Sequence, residues 1–259
     1  MNLKEEIIRS LRLQQEQFGD ELYAELHIPK FEDRQHPVQE KIFTPQARPV
    51  KAAPPPKPTG AQYPSPGVVA GSASLEELRT NICNCLKCQL GPGRKNFVFG
   101  EGNPNARVMV IGEGPGAVED IQGRPFVGRA GQLLTDILKA IKFSREEVYI
   151  ANIVKCRPPA NRTPLDSEIA ECRPFLVRQI ELIRPSFILC LGSTAVQALL
   201  ERKGTLGSFR KKVFDIHGAK MMVTFHPAAL LRNPGWKRDT WEDVQAFRKL
   251  YDEKFISEG

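Results

Sequence analysis

Short apolar runs alternate with longer helical patterns from Ser74 onward, and this order limits the fold more than any other feature of the sequence. The runs are rich in residues that favour strands, whereas the segments between them repeat apolar residues at helical spacing. Such an order predicts an α/β fold with a mainly parallel sheet. The predicted strands are Arg107–Ile111, Val148–Asn152, Phe187–Leu191 and Met221–Thr224. The predicted helices include Gln132–Ile141, Asp166–Ile183, Thr194–Arg202 and Thr240–Phe255.

Polar or glycine-rich segments follow three of these strands. They read GEGPGAVED after Ile111, NIVKCRPPANR after Ala151 and HPAALLRNPGWKR after Phe225. In open α/β sheets, ligands bind outside the carboxyl ends of the strands. We therefore expect the three segments to converge on one site.

The region before Ser74 has a different composition. Residues 1–27 place Leu3, Ile7 and Leu11 at helical spacing among charged neighbours, which predicts an amphipathic N-terminal helix. Residues 28–73 are rich in proline and lack a periodic apolar face, so we expect a largely disordered linker. The folded domain is then 74–259. The helix is a candidate docking element for a protein partner or an oligomerisation surface, and we otherwise expect a monomer.

The composition favours a globular, cytoplasmic protein without a membrane segment. No stretch approaches the roughly 20 apolar residues that span a bilayer, and the N-terminus lacks the apolar run of a signal peptide. The net charge of +7 comes from 37 Lys and Arg against 30 Asp and Glu. Such a charge permits a polyanionic partner without requiring one.

Four of the six cysteines have the spacing of metal ligands, because one pair forms C-x2-C and the other pair flanks fifteen residues. In a reducing compartment, metal ligation or core packing accounts for cysteines better than a disulfide framework does. Spacing alone leaves open zinc held by four thiolates, an iron-sulfur cluster and ordinary buried cysteines. Cys190 lies in a strand and is predicted to be a core residue, and Cys83 is a less well-spaced alternative ligand. The four candidate ligands are Cys85, Cys88, Cys156 and Cys172.

The segment between Cys156 and Cys172 contains signals for a helix start and a helix break. Thr163 is predicted to cap the helix, with Pro164 at its first position and Asp166 three residues after the cap. Pro174 is expected to break or kink the helix just beyond Cys172. A break there would leave this cysteine near a chain corner, where a ligand is easily presented.

Three motifs occur together with the spaced cysteines: GEGPGAVEDIQGRPFVGRAGQLL, NIVKCRPPANR and HPAALLRNP. The GEGPG segment alone is a poor signal, because Pro115 and a missing third glycine separate it from a dinucleotide-binding fingerprint. The combination closely resembles the iron-sulfur uracil-DNA glycosylases of family four, from about Leu75 to Glu253. The resemblance implies a three-layer α/β fold with a central, mainly parallel four-stranded sheet flanked by helices. It also implies a DNA-repair enzyme that flips uracil out of DNA and hydrolyses its N-glycosidic bond.

The resemblance assigns roles to residues of the pocket. Phe126 matches the aromatic platform under the flipped base, and Asn152 matches the side chain that reads uracil, donating to O4 and accepting from N3–H. Asn161 is expected to support the pocket or to contact the DNA backbone. His226 matches the histidine that approaches uracil O2, where negative charge builds as the base leaves.

Glu113 and the backbone of Gly114 match the family's water-positioning motif. Gly114 offers no carboxylate where other glycosylases carry an aspartate, so Glu113 is our first choice for orienting water. Glu119 is the second choice, with the alternative that it crowds C5 of the base and excludes the methyl group of thymine.

The resemblance also implies a DNA-facing loop and a cofactor. Leu230 and Leu231 are expected to act as an apolar wedge in the duplex, with Arg232 on a phosphate. Other candidate phosphate contacts are Arg94, Lys95, Arg210, Lys211, Lys212, Lys237 and Arg238. The four spaced cysteines, Cys85, Cys88, Cys156 and Cys172, are expected to hold an iron-sulfur cluster of the 4Fe-4S type. The cluster would fasten two segments beside the pocket without redox turnover.

Two other classes of function remain open from the sequence. A covalent uracil-DNA binder would need a nucleophilic histidine in an extra basic loop beside GEGPG, and the sequence has no such insertion. An electron-transfer or redox-sensing protein would use the cluster itself and leave the pocket incidental.

Overall fold

The computed structural model describes residues 64–256, which form a six-stranded sheet flanked by helices. The strands lie in the order β1-β3-β2-β4-β6-β5. Four central strands are parallel, and the edge strands β1 and β5 each pair antiparallel to their neighbours. The strand bounds are β1 Glu101–Gly102, β2 Val108–Gly112, β3 Tyr149–Asn152, β4 Phe187–Leu191, β5 Phe214–Ile216 and β6 Ala219–Thr224.

The four predicted strands are the four parallel strands of this sheet, with shifts of one or two residues at some ends. The prediction of a four-stranded sheet was wrong because the two edge strands were missed. These strands contain two and three residues. Segments this short carry too few positions to show the alternation that marks a strand in a sequence.

Helices cover both faces of the sheet, and the four predicted helices are among them. Two short 3-10 helices, Pro159–Asn161 and Pro234–Trp236, lie in the loops after β3 and β6. The α-helices are α1 Pro66–Gly71, α2 Leu75–Ile82, α3 Leu90–Gly93, α4 Ala117–Gln122, α5 Arg129–Ala140, α6 Asp166–Ile183, α7 Ser193–Leu200, α8 Leu206–Phe209, α9 Pro227–Arg232 and α10 Lys237–Ile256. None of the helices between residues 64 and 256 is long and apolar enough to cross a membrane.

Alternate residues of the strands point to opposite faces of the sheet, and each face has its own core. Met109 and Ile111 belong to one cluster with side chains of α2, α6 and α7. Val108 and Val110 belong to the other, with side chains of α5 and α10. Both faces of a parallel sheet must be covered in this way. The three-layer α/β architecture that the resemblance implied is confirmed.

The last ten residues of the predicted linker are described, and they are folded. Ser65 caps α1 by accepting a hydrogen bond from the amide of Val68. Val69 is buried in the core, and Arg178 of α6 donates two hydrogen bonds to the carbonyl oxygen of Ser72. The folded region therefore begins before residue 74. The predicted helix at 1–27 and the linker up to residue 63 lie outside the described residues.

Helix α6 starts where it was predicted, but the predicted cap was wrong and the predicted break at Pro174 does not occur. Leu165 is the N-cap residue, and the side chain of Glu168 accepts a hydrogen bond from its amide at 2.8 Å. Thr163 is therefore not the cap. The helix also continues through Pro174 to Ile183. Proline inside a helix costs roughly 3 kcal/mol, and buried side chains on both sides of Pro174 supply packing that offsets this cost.

Candidate active site

A cavity of about 720 Å³ opens at the carboxyl ends of the parallel strands. Residues that follow β2, β3, β4 and β6 line it, so all three segments that were predicted to converge do meet here. The predicted site residues on its wall are Glu113, Gly114, Glu119, Phe126, Asn152, Asn161, His226 and Arg232. This position is where ligands bind in open parallel sheets.

Two buried side-chain nitrogen or oxygen atoms in residues 64–256 have no hydrogen-bond partner, and both belong to residues that line this cavity. They are Oδ1 of Asn152 and Nε2 of His226. Asn152 is the last residue of β3 and is almost fully buried, whereas His226 follows β6. A buried polar group without a partner costs about 1 to 3 kcal/mol. Two such atoms in one cavity indicate a site for a polar ligand.

His226 is neutral in this environment, and its hydrogen bond fixes the tautomer. Nδ1 accepts a hydrogen bond from the amide of Ala228 at 3.2 Å, so the ring proton lies on Nε2. Burial is the main cause of a pKa of about 4 for His226; the charge of Arg232 also lowers this pKa, while Glu119 acts in the opposite direction. The cavity therefore receives a hydrogen-bond donor from an uncharged imidazole.

Phe126 is held against both of these residues by an unusual backbone. Its φ of 52° lies in the left-handed region, which non-glycine residues rarely adopt. Arg145 donates a hydrogen bond to its carbonyl oxygen at 2.9 Å, and Gly131 passes so close that a Cβ there would lie 2.0 Å from the same oxygen. The ring lies 5.5 Å from that of His226, and a Cβ on Gly112 would touch both Phe126 and Asn152. The three predicted base-contacting residues are thus neighbours.

The two candidate carboxylates differ in their surroundings. Oε1 of Glu119 accepts hydrogen bonds from the amides of Val127 and Gly128, at 2.9 and 2.8 Å. This carboxylate therefore stabilises the loop that carries Phe126. Glu113 lines the cavity directly after β2, and its carbonyl oxygen accepts a hydrogen bond from the amide of Val154. One oxygen of the Glu119 carboxylate is thus occupied by two backbone amides, whereas Glu113 contributes a backbone contact and a place on the cavity wall.

The remaining predicted DNA contacts fall into different environments. Leu231 is 40% exposed, whereas Leu230 is 1% exposed and packs in the interior. The prediction that Leu230 forms part of a wedge is therefore wrong, because successive residues of α9 point to different sides of the helix. Arg232 is exposed at the cavity, and Asn161 accepts a hydrogen bond from Arg157 on its exposed side chain.

Some residues of the cavity were missed in the sequence. Gly192 follows β4 with a φ of 91°, and a Cβ there would approach His226 at 3.1 Å. The segment LGST after β4 has the same pattern as the other sites, a strand followed by glycine and polar residues. This pattern could have indicated Gly192 from the sequence. Phe225 and Trp236 also line the cavity.

The four spaced cysteines lie together on the side of the sheet that carries α2 and α6. Three are buried in one core cluster, and Cys88 packs against it from a partly exposed position. Burial raises the pKa of all four thiols, and that of Cys156 is about 11. The negative charge of other thiolates in the set contributes to this rise for Cys85, Cys156 and Cys172. These thiols therefore lie within reach of one another's charge. Cys190 is fully buried inside β4, as predicted for a core residue.

Two cations lie beside these sulfur atoms. Arg94 donates a hydrogen bond to Sγ of Cys156 at 3.5 Å and others to carbonyl oxygens of the Cys83–Cys85 segment. It therefore organises the cysteine loop, instead of presenting a charge to DNA. The side chain of Lys155 is fully buried, and Nζ donates to the carbonyl oxygen of Asn152 at 2.9 Å. Burial lowers the pKa of Lys155 to about 8, an effect that the Cys172 and Cys156 thiolates oppose.

This donor set fits an anionic metal cluster. Thiolates are the ligands of iron-sulfur clusters and of structural zinc, and the two cations would offset the negative charge of either one. The side chains as placed among residues 64–256 include no group of three or more His, Cys, Asp or Glu that could hold a metal ion. The fit therefore rests on the common core cluster of the four cysteines and on the cations beside them.

Comparison with known proteins identifies the family of this chain. Residues 99–250 match the uracil DNA glycosylase superfamily. The chain is 44% identical to a type-4 uracil-DNA glycosylase of Saccharolobus solfataricus, covering 71% of this chain and 89% of that protein. It is 45% identical to a type-4 uracil-DNA glycosylase of Thermotoga maritima, covering 66% and 91% respectively. A type-5 uracil-DNA glycosylase of Pyrobaculum aerophilum is 34% identical, over 52% of this chain and 66% of that protein. The chain therefore belongs to the type-4 group of the uracil DNA glycosylase superfamily.

Proposed function

We propose that this chain removes uracil from DNA by hydrolysing the N-glycosidic bond, which releases free uracil and leaves an abasic site for repair. The observation that carries the proposal is the pair of unpartnered buried atoms, Oδ1 of Asn152 and Nε2 of His226, in one cavity beside an aromatic ring. A flipped base supplies both the polar edge and the flat face that such a cavity lacks.

Asn152 selects uracil by its hydrogen-bonding edge. An amide side chain can donate to O4 and accept from N3–H at the same time. Cytosine presents a donor at position 4 and an acceptor at N3, so it forms neither bond with an amide held in the orientation that binds uracil. Because bound cytosine would leave buried polar groups unpaired, such a site discriminates strongly between uracil and cytosine.

His226 stabilises the leaving group. As the bond between C1′ and N1 breaks, its electron pair moves to N1 and the negative charge spreads to O2. The Nε2–H of a neutral imidazole donates to O2 without giving up its proton. A fixed donor in a shielded cavity stabilises this charge more strongly than water does.

Phe126 and Glu113 complete the reaction site. The ring of Phe126 supports one face of the base, and Glu113 orients the water molecule that attacks C1′. Glu119 holds the Phe126 loop through the two amides described above. The water oxygen forms the new bond to C1′, and its proton passes to Glu113 or to bulk solvent.

The surface around the cavity binds DNA. Leu231 is the exposed apolar residue of α9 and fits the role of a wedge in the base stack. Arg232 and Asn161 both line the cavity, and the guanidinium of Arg232 suits a phosphate contact. Arg210 is bound to Asp243 at 2.7 Å and is therefore not available as a phosphate contact.

Cys85, Cys88, Cys156 and Cys172 are proposed to bind an iron-sulfur cluster of the 4Fe-4S type. When bound, the cluster would crosslink the C-x2-C segment to the loop after β3 and to α6. The amide of Lys155 donates to Sγ of Cys172 while its Nζ donates to the carbonyl oxygen of Asn152, so a single residue connects the ligand region to the base reader. The proposed role of the cluster is structural.

The proposal is tested by incubating the purified protein with an oligonucleotide that contains one uracil and measuring free uracil by mass spectrometry. The matched control carries thymine at the same position. We expect release from the first substrate only, with an abasic site left in an intact strand. Absence of free uracil would reject the proposal and favour a uracil-DNA binder or a redox protein.

A further inference from the structure

Trp236 forms the outer layer of a three-layer stack at the rim of the cavity. Its ring lies on that of Phe225, with centroids 4.9 Å apart and an angle of 20° between the planes. The guanidinium of Arg210 lies 4.5 Å from the centroid of the same phenyl ring. Two groups at these distances cannot share one face, so Phe225 lies between them.

The stack is fixed by contacts below and beside it. Arg210 is paired with the buried carboxylate of Asp243 at 2.7 Å, and Asp243 also accepts a hydrogen bond from Thr224 at 2.8 Å. The amide of Trp236 donates to the carbonyl oxygen of Asn233, and its own carbonyl oxygen accepts from Thr240. A ring held in this way loses little conformational entropy when a ligand binds to it.

The outer face of Trp236 is open to solvent in a basic environment. The residue is 40% exposed although Phe225 covers one ring face, and it lines the cavity that contains Asn152. The exposed residues Arg232, Lys237 and Arg238 are close to it along the chain. A flat aromatic face beside several cations suits a nucleobase whose flanking phosphates are negative.

We propose that Trp236 is the stacking site for the nucleobase next to the flipped uracil. The inference rests on the proposed function, since a uracil bound in the cavity would bring the flanking DNA strand past the rim where Trp236 lies. Removing a base from the duplex exposes the face of its neighbour, and stacking on the indole would cover that face. Every base has a flat π surface, so the contact strengthens binding at any sequence.

The chain has two tryptophans, and this permits a direct measurement. The variant Trp241→Phe leaves Trp236 as the single indole, whereas Trp236→Phe leaves Trp241, which is similarly exposed at 43% but does not line the cavity. Each protein is titrated with a duplex that contains an abasic site, the product of the proposed reaction. Saturation is followed separately by the anisotropy of a label on the DNA.

We expect quenching of Trp236 fluorescence on binding and little change for Trp241. The decisive control is a duplex of the same length with abasic sites on both sides of the central one, which keeps the phosphates and removes the adjacent bases. Quenching should be lost with this DNA. Equal quenching with both duplexes, or none at saturation, would overturn the proposal.

Affinity gives a second test. Stacking of one base is worth about 1 to 3 kcal/mol, so Trp236→Ala should weaken binding of the abasic duplex by roughly fivefold to a hundredfold. Trp241→Ala should change it by less than about twofold. The two proposals fail in different ways. Uracil release without Trp236 quenching would reject the stacking site alone, whereas quenching without uracil release would reject the proposed function alone.

Discussion

The imidazole of His226 is neutral because its surroundings oppose a positive charge. Burial lowers its pKa to about 4 from the ordinary value of 6.5, and the Arg232 guanidinium contributes to the same effect. A protonated ring would place a second N–H against the amide of Ala228, which already donates to Nδ1. The site is therefore built for a donor that stays uncharged while charge appears on the base.

This shift predicts a dependence of stability on pH. Because the folded-state pKa lies below 6.5, the stability contributed by the neutral ring is complete above pH 6.5 and is lost as the pH falls towards 4. The loss is on the order of 1 to 3 kcal/mol after allowance for solvent screening. Urea unfolding of wild type and His226→Gln at pH 7.5 and 4.5 measures this loss, since glutamine at position 226 does not titrate.

We expect the stability advantage of wild type over His226→Gln to shrink at pH 4.5. Other titrating groups are common to the two proteins and cancel in the difference. An advantage that is equal at both pH values would show that the pKa of His226 is ordinary.

The two carboxylates of the site give a second residue-scale prediction. Glu113→Gln should lower single-turnover excision by at least roughly tenfold, with unchanged stability, because it removes the group that orients water. Glu119→Gln should lower the free energy of unfolding by about 1 to 2 kcal/mol, because it weakens two charge-assisted hydrogen bonds in the Phe126 loop. Kinetics and unfolding of both variants are compared. The reverse pattern would exchange the two roles.

At the scale of elements, the loop after β3 connects the cysteines to the pocket. Asn152 ends the strand, Lys155 reaches back to its carbonyl oxygen, and the amide of Lys155 binds the sulfur of Cys172 on α6. Nζ of Lys155 also donates to Gln179 of the same helix. The position of the base reader therefore depends on how α6 packs against this loop.

The cysteines supply the prediction at this scale. Cys172→Ala should reduce bound iron and labile sulfide and lower the free energy of unfolding, because α6 would lose its link to the loop after β3. Cys190→Ala is the matched control, since it removes one equally buried sulfur from β4. Its iron content should equal that of wild type. Stoichiometric zinc in colourless wild-type protein would contradict the iron-sulfur assignment.

The elements also show which parts of the fold a sequence can predict. Runs of buried apolar residues located the four parallel strands, and strand ends located the cavity. The edge strands were too short to detect. The helix-breaking effect of Pro174 was overestimated, because local propensity ignores the packing of α6. The burial of Lys155 could not be predicted from the sequence, because its partners on Asn152 and Gln179 are brought together only by the fold.

At the scale of the whole molecule, the folded region begins earlier than the composition suggests. Residues 1–63 contain none of the site residues, whereas α1 places Val69 in the core. Deleting residues 1–63 should leave excision on short DNA unchanged within about twofold. Deleting residues 1–73 should in addition lower the free energy of unfolding, because it removes α1 and the acceptor for Arg178. Equal stability of the two truncated proteins would show that α1 contributes nothing.

The arrangement of the whole site depends on one central claim, that the unpartnered atoms of Asn152 and His226 bind the edge of uracil. The residues come from β3 and from the segment after β6, at opposite sides of the parallel sheet, with β2 and β4 between them. Sequence alone associates them only through the family resemblance. The structure adds that Oδ1 of Asn152 and Nε2 of His226 lack a hydrogen-bond partner within the described chain and that both residues line the same cavity.

The most direct test is the single-turnover rate of uracil release by Asn152→Asp at pH 8. An ionised aspartate only accepts hydrogen bonds, so it opposes O4 and adds negative charge beside a base that is becoming anionic. The rate should fall by roughly tenfold to a hundredfold or more, since an unmade buried contact costs about 1 to 3 kcal/mol. Asn152→Ala should also be slow, whereas affinity for abasic DNA and iron content should stay close to wild type. The matched variant Asn161→Asp, on the exposed wall of the cavity, should lose much less. A normal rate for a folded, iron-loaded Asn152→Asp protein, with a large loss for Asn161→Asp, would contradict the account.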